Sequence, residues 1–117
     1  MKILILILLF VSLQAKHLHK ESHYRNIFCD EMGGVTEFVL DDNTRIDCIF
    51  GEYAVEVDFG NKFYEAIGQS LYYGYKTNSR AGIYLIIENE NELKYLERVK
   101  IIGEMYDIKI WSNWNVK

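Results

Sequence analysis

The chain has 117 residues, half of them hydrophobic, and a formal net charge of −4 at pH 7. This length and apolar content are typical of one compact domain with a hydrophobic core, and they exclude a disordered chain. The acidic balance disfavours broad binding to nucleic-acid phosphates, so any such contact is expected to be local. The sequence has no proline, and no linker or internal repeat indicates a second domain.

The first fifteen residues have the three-part organisation of a secretory signal peptide. Lys2 gives a positive start, residues 3–13 are almost all apolar, and Ala15 precedes a charged stretch. The apolar run is shorter than the about 20 residues that span a bilayer. We therefore predict a signal peptide over 1–15 and a single domain over 16–117. That domain would be periplasmic or secreted, without stable membrane insertion; an uncleaved N-terminal anchor is the alternative.

Two cysteines, Cys29 and Cys48, are present. In an exported protein an even pair most simply forms one disulfide. Cys48 follows Asp47 on a predicted strand, so the two side chains point to opposite faces of the sheet. We predict that the disulfide joins the first helix to the face away from Asp47.

Hydrophobic periodicity and turn residues predict elements in the order α-β-β-β-α-β-α-β. The predicted elements are a helix over 19–31, strands over 35–40, 44–50 and 53–59, a helix over 60–76, a strand over 83–87, a helix over 90–102 and a strand over 106–111. The unbroken apolar run at 83–87 is typical of a central strand that is buried on both sides. Gly82 is expected in the preceding loop and Gly103 at the end of the last helix. The fold class is thus α/β, a mixed sheet flanked by helices.

Gly51–Glu52 is predicted to form a two-residue type II′ turn, which fixes the register of the hairpin around it. In this register Asp47 lies directly opposite Glu56. Opposed side chains have Cβ atoms about 4.5–5.5 Å apart, where like charges are destabilising. We interpret this placement as a metal site, in which a cation lies between the two carboxylates. The alternative is a solvated pair whose repulsion is relieved by Arg45 and Lys62.

The same register divides the hairpin into an apolar and a charged face. The apolar face would carry Ile46, Cys48, Phe50, Tyr53, Val55 and Val57, and the charged face Arg45, Asp47, Glu56 and Asp58. A slip of one residue would bury the charges, so the register should be well specified. Because Asp58 would face Arg45, an ion pair between them is the alternative to a functional role for Asp58.

These residues and the element order together resemble the PD-(D/E)XK nuclease superfamily, in the branch related to RecB nuclease domains. In that superfamily an aspartate ends the second strand, and an acidic residue two places before a lysine lies on the third. Asp47 corresponds to the first of these, and Glu56 and Asp58 to the second pair. A glutamine and a tyrosine four residues apart on the next helix correspond to Gln69 and Tyr73. The block is also similar to that of small exported bacterial proteins.

The resemblance covers about residues 36–87 and implies a restriction-endonuclease-like core. It also implies that Mg²⁺ or Mn²⁺ supports hydrolysis of phosphodiester bonds in nucleic acid. Asp47 and Glu56 would bind the metal, with Asp58 as a third ligand or as an acceptor beside it, since Mg²⁺ prefers oxygen ligands. Glu21 on the first helix is a candidate for a further carboxylate.

Two positions depart from the superfamily pattern. Ile46 replaces a proline, which is a common change, whereas Asp58 replaces the lysine that orients the attacking water. Lys62 is the candidate replacement, because it begins the helical stripe that holds Gln69 and Tyr73. The resemblance therefore implies a catalytic set of Asp47, Glu56, Lys62, Gln69 and Tyr73. The alternative is an exported binding domain that has the same scaffold and no turnover.

Overall fold

The computed structural model describes residues 16–114, so the signal peptide predicted over 1–15 lies outside the described residues. Its elements are α1 (Glu21–Glu31), β1 (Val35–Val39), β2 (Arg45–Phe50), β3 (Tyr53–Phe59), α2 (Phe63–Thr77), β4 (Arg80–Ile86), α3 (Leu93–Tyr106) and β5 (Lys109–Ser112). Short 3-10 turns at Gly60–Lys62 and Glu90–Glu92 lead into α2 and α3. None of the helices between residues 16 and 114 has the length and apolar character needed to cross a membrane.

The five strands form one sheet in the order β1-β2-β3-β4-β5. The first three strands are an antiparallel meander, while β4 pairs with β3 and β5 with β4 in parallel. Each parallel pair is connected through a helix, as parallel neighbours require a long crossover. The predicted α/β class and mixed sheet are confirmed.

The side chains of β4 show how the sheet is covered. Tyr84 and Ile86 pack in a cluster with residues of α1, whereas Ile83 and Leu85 pack with residues of α2 and α3. Because alternate residues of a strand point to opposite faces, α1 covers one face of the sheet and the other two helices cover the second. The predicted central strand is therefore buried on both sides.

Two glycines have a different role from the one that the sequence predicts. Gly82 lies within β4, where a Cβ atom would be 2.7 Å from a ring carbon of Trp111. Gly103 lies inside α3, which continues to Tyr106, and its Cβ would be 2.8 Å from the carbonyl oxygen of Ile108. Both positions bring backbone close to a neighbouring element, so packing and not chain termination explains these glycines.

Cys29 and Cys48 form the predicted disulfide between α1 and β2, with Cα atoms 5.7 Å apart. Gly34 packs against the bridge, since a Cβ atom there would be 2.8 Å from both sulfur atoms. In the chain-entropy model a loop of this size gives roughly 3 kcal/mol of stability. The bridge thus fixes the distance between α1 and the residues beside Cys48.

The hairpin register agrees with the prediction near the turn. Observed pairs are Cys48 with Val55, Ile49 with Ala54 and Phe50 with Tyr53. Gly51 has φ +52°, as the first position of a type II′ turn requires. The turn chemistry therefore specifies this end of the hairpin.

Beyond Cys48 the hairpin departs from the predicted pattern. The Val57 N–H donates a hydrogen bond of 2.8 Å to Oδ2 of Asp47 instead of to backbone of β2. Ile46 packs with Ala54 and Tyr73, on the side of α2, and not with Cys48. The prediction that Ile46 shares the apolar face of Cys48 is therefore wrong, because a side-chain acceptor interrupts the regular ladder between them.

Candidate active site

Four carboxylates from three elements form what we call the carboxylate cluster. Its members are Glu21 from α1, Asp47 from β2, and Glu56 and Asp58 from β3. Glu56 and Asp58 are only 7% and 6% exposed, and the other two are half-buried. The charges of the cluster affect one another, as the pKa of Glu21 is raised by both Asp47 and Asp58. Carboxylates are rarely buried together without a partner, so this cluster is the first candidate for a functional site.

Asp47 and Glu56 are close enough for each carboxyl group to shift the pKa of the other. Burial, and then the charge of Asp47, raise the pKa of Glu56 to about 10, so Glu56 is the member of the pair that keeps its proton near neutral pH. Burial also raises the pKa of Asp47, although the hydrogen bond from the Val57 N–H and the nearby Glu56 carboxyl group oppose the shift. The structure thus brings the predicted pair together. A shared proton relieves the repulsion of such a pair, and a divalent cation is the other means.

Asp58 and Glu21 flank this pair. Asp58 accepts a hydrogen bond of 3.0 Å from the Phe59 N–H, and burial raises its pKa to about 6 against the opposing effects of that amide and of Lys62. Burial and the charges of Asp47 and Asp58 raise the pKa of Glu21 to about 7. Both groups therefore change protonation near neutral pH, as acid–base groups of active sites often do.

Two cationic side chains lower the pKa values of carboxyl groups in the cluster. Lys62, which is exposed, lowers the pKa values of Asp58 and Glu21. Arg25 on α1 lowers the pKa values of Asp47 and Glu21. Lys62 is indicated by its place at the start of the helical stripe that continues along α2, whereas no motif in the sequence indicates Arg25. The signal for Arg25 was its spacing of four residues from Glu21, on a helix that the disulfide ties to the neighbour of Asp47.

Glu37 holds two arginines at the edge of the site. Its Oε1 is 2.5 Å from Nη1 of Arg25, and its Oε2 is 2.8 Å from Nη1 of Arg45. The predicted partnership of Arg45 with Asp58 is therefore replaced by an ion pair with Glu37. Glu37 also has φ +54°, a left-handed conformation that is uncommon for a residue other than glycine.

The two candidate residues of α2 lie in different environments. Tyr73 is 7% exposed, and its pKa is raised by burial and by the charges of Glu56 and Asp47, so it lies beside the pair. Gln69, one turn earlier, is exposed, and its side chain makes no hydrogen bond to any residue of the described part of the chain. The structure therefore brings Tyr73 to the cluster and leaves Gln69 at the surface of α2.

The segment before α1 is anchored at the same end of the sheet. His17 stacks on Phe59, with ring centroids 3.4 Å apart, and its Nδ1 is 2.7 Å from Oε1 of Glu88. Oε2 of Glu88 accepts hydrogen bonds from the Leu18 N–H and the Tyr24 hydroxyl. Burial disfavours the Glu88 anion, but these hydrogen bonds outweigh it and lower its pKa. The anchor fixes the start of α1, where the first carboxylate of the cluster lies.

The donor set decides which metal the cluster fits. Between residues 16 and 114, no three His, Cys, Asp or Glu side chains are grouped as a metal-binding set. Mg²⁺ commonly uses only one or two protein carboxylates and completes its shell with water and substrate phosphate. Asp47 and Glu56 meet that lower requirement with hard oxygen donors. The pair offers hard oxygen donors, and it lacks the nitrogen and sulfur ligands that structural zinc sites use.

No protein-family profile matches this sequence, and comparisons with curated proteins and with solved structures found no significant match. The fold and the site define the class of protein: a disulfide-bonded α/β domain with a buried carboxylate cluster where β2 and β3 meet. Its chemistry is inferred from the residues of that cluster.

Proposed function

We propose that the protein is an exported hydrolase that uses Mg²⁺ or Mn²⁺ to cleave phosphodiester bonds in nucleic acid. The observation that carries the proposal is the Asp47–Glu56 pair, buried next to two further carboxylates. The helix, antiparallel meander, helix and parallel strand that surround the pair support a PD-(D/E)XK-like core. The disulfide supports an oxidising, periplasmic or extracellular location.

In this proposal Asp47 and Glu56 hold the metal ion. When bound, such an ion lowers the pKa of a water ligand and neutralises charge on the phosphate. The Val57 amide fixes the orientation of the Asp47 carboxylate. Glu56 must release its proton before it binds a cation, so metal affinity should increase with pH.

The flanking residues supply proton transfer and charge. Glu21, with its pKa of about 7, is suited to accept a proton from the attacking water near neutral pH. Asp58 is the acceptor beside the metal, because within residues 16–114 it is not grouped with the pair as a third ligand. Lys62 replaces the strand lysine of the PD-(D/E)XK pattern and balances negative charge from the side of Asp58. Tyr73 supports Glu56, and Gln69 contacts substrate from the surface of α2.

The second candidate function is that of a nucleic-acid-binding domain without turnover. Asp58 favours it, because this residue replaces the strand lysine with a group of opposite charge. Metal binding through Asp47 and Glu56 would persist in such a domain, whereas cleavage would be absent. Measurements of both metal binding and cleavage therefore distinguish the two functions.

The test uses oxidised protein spanning residues 16–117, with single- and double-stranded DNA and RNA in Mg²⁺, Mn²⁺ or EDTA. We expect metal-dependent cleavage that falls on the order of 100-fold in Asp47→Asn and about tenfold in Lys62→Ala, since each factor of ten corresponds to 1.36 kcal/mol of barrier. Glu65→Gln, an exposed change of the same kind on α2, is the control.

The same proteins are examined by thermal unfolding with and without metal. We expect Mg²⁺ or Mn²⁺ to raise the melting temperature of the wild type and not that of Asp47→Asn. A metal-induced shift without cleavage would support the binding domain. Cleavage that persists in EDTA, or neither cleavage nor a shift, would show that the proposal is wrong.

A further inference from the structure

We infer that Arg25 is an anion-binding residue of this site, and that Nη2 of its guanidinium donates a hydrogen bond to a phosphate oxygen of the substrate. The inference rests on the proposed function, since it assigns the residue that holds the phosphate beside the metal-binding pair. It adds a role for α1, which precedes residues 36–87 and contributes Glu21 to the cluster.

The hydrogen bonds of Arg25 leave one nitrogen of the guanidinium, Nη2, without a partner. Nη1 contacts Glu37 at 2.5 Å, and Nε donates to Oδ1 of Asn26 at 3.1 Å. Nη2 has no hydrogen-bond acceptor within residues 16–114. No fully buried side-chain donor in that range lacks a partner, so Nη2 is at least partly accessible to solvent. Its N–H groups can donate a charge-assisted hydrogen bond to a phosphate oxygen.

The burial of Arg25 distinguishes it from an ordinary surface arginine. Its side chain is 15% exposed, whereas Arg45, on the other oxygen of Glu37, is 64% exposed. A guanidinium that is held by a carboxylate and mostly removed from water is already ordered before substrate binds. Less side-chain entropy is then lost on binding, which strengthens the contact.

The charge of the site requires a cation at this place. A phosphate that approaches the carboxylate cluster meets groups of its own sign, which oppose binding. Lys62 lies four residues after Asp58, just beyond the end of β3. Arg25 contacts Glu37. Glu37 lies between the β1 partners of Cys48 and Ile46, and therefore across from Asp47. A phosphodiester bound between these two cations would lie beside the Asp47–Glu56 pair.

The backbone of Glu37 indicates that its contact with Arg25 is maintained against strain. A non-glycine residue at φ +54° persists only where its surroundings determine the conformation, and such residues concentrate at functional sites. Here the surroundings are Arg25 on one carboxylate oxygen and Arg45 on the other. Glu37 is thus a positioning residue for Arg25.

The test measures binding of a short single-stranded oligonucleotide with hydrolysis-resistant phosphorothioate linkages, in Mn²⁺, by fluorescence anisotropy. We expect Arg25→Gln to weaken binding at least tenfold, and Arg25→Lys, which keeps the charge and loses the Nη2 donor, to weaken it about threefold. The matched control is Arg80→Gln, which removes the same charge from an ion pair with Glu52 at the start of β4 and should change the dissociation constant less than twofold.

A second measurement separates this inference from the proposed function. The rise in melting temperature with Mn²⁺ should be retained in Arg25→Gln and Arg25→Lys, because neither removes a metal ligand. If the wild type cleaves nucleic acid and both variants bind the oligonucleotide as tightly as it does, the inference is wrong and the proposed function stands. If the wild type shows neither the Mn²⁺ shift nor oligonucleotide binding, both are wrong. If Arg25→Gln does not fold, the inference is tested by comparing oligonucleotide binding of Arg25→Lys with that of the wild type.

Discussion

Strands β3 and β4 are neighbours in the sheet and are buried to the same degree. On the face beneath α2, however, β3 carries carboxylic side chains and β4 carries aliphatic ones. Glu56 pairs with Ile83, and Asp58 pairs with Leu85. The two carboxylic residues are 7% and 6% exposed, and the two aliphatic residues are fully buried. Position in the fold is therefore nearly constant across this pair of strands, and only the side chains differ.

The difference separates the part of the sheet that stabilises the fold from the part that is available for chemistry. Burial of Ile83 and Leu85 removes apolar surface from water, and each such side chain contributes about 1.5–3 kcal/mol. Burial of Glu56 and Asp58 instead raises their pKa values, which means that the folded state disfavours their charged forms. Residues that oppose folding in this way are expected mainly at functional sites.

The largest expected effect is on β4. Leu85→Ala removes buried methyl groups and leaves a cavity, so we expect a loss of about 3 kcal/mol in the free energy of unfolding. The matched change across the strand pair, Asp58→Asn, keeps the volume and removes the charge, and it should change stability by less than about 1 kcal/mol. Urea unfolding at pH 7 in EDTA measures both. Equal losses would mean that β3 and β4 contribute alike to stability.

This contrast also shows how much of the fold the sequence determines. The apolar run at 83–87 predicts a strand buried on both sides, and Gly51 predicts the turn, because each depends on local residue types. The predicted disulfide between Cys29 and Cys48 is also present, because two cysteines allow only one pairing. Long, locally consistent patterns therefore gave the α/β class and the hairpin register near the turn.

The candidate site was less predictable, because it depends on contacts between distant segments. Ile46 changes its packing partner because the Asp47 side chain takes the Val57 amide, and no periodicity reports that competition. The charge of Arg25 affects the pKa of Asp47 only because the fold places α1 over the sheet. Glu37 joins Arg25 and Arg45 through a backbone conformation that residue preferences disfavour.

A smaller effect on stability is expected when the buried carboxyl group of Glu56 on β3 is replaced by a neutral amide. We expect Glu56→Gln to increase the free energy of unfolding at pH 8 in EDTA by on the order of 1–2 kcal/mol, since an amide need not keep a proton in order to be buried. The control is Glu65→Gln, the same substitution at an exposed position of α2, which should be within about 0.5 kcal/mol of the wild type. Urea unfolding of the wild type and the two variants gives both values. A Glu56→Gln variant that is less stable than the wild type would indicate that Glu56 is a structural hydrogen-bond donor only.

The last expected effect is the pH dependence of the wild type in EDTA. Glu21, Asp58 and Glu56 have folded-state pKa values of about 7, 6 and 10, all above their ordinary values. Between pH 5 and 8 the folded state therefore binds more protons than the unfolded state, and stability must fall as pH rises. Carboxylates with lowered pKa values, such as Asp42 and Glu37, are ionised in both states over this range and add no slope.

We expect the melting temperature in EDTA to be lower at pH 8 than at pH 5.5, because the folded state keeps carboxyl protons that the unfolded state has already released. Glu56→Gln should make the melting temperature less dependent on pH, because it removes the carboxyl group whose pKa is raised most by folding. Saturating Mg²⁺ should raise the curve most at pH 8, where the Glu56 proton is most easily displaced. A melting temperature that rises steadily from pH 5.5 to 8 in EDTA would contradict the burial of these carboxyl groups. The contrast between β3 and β4 would then have no energetic basis.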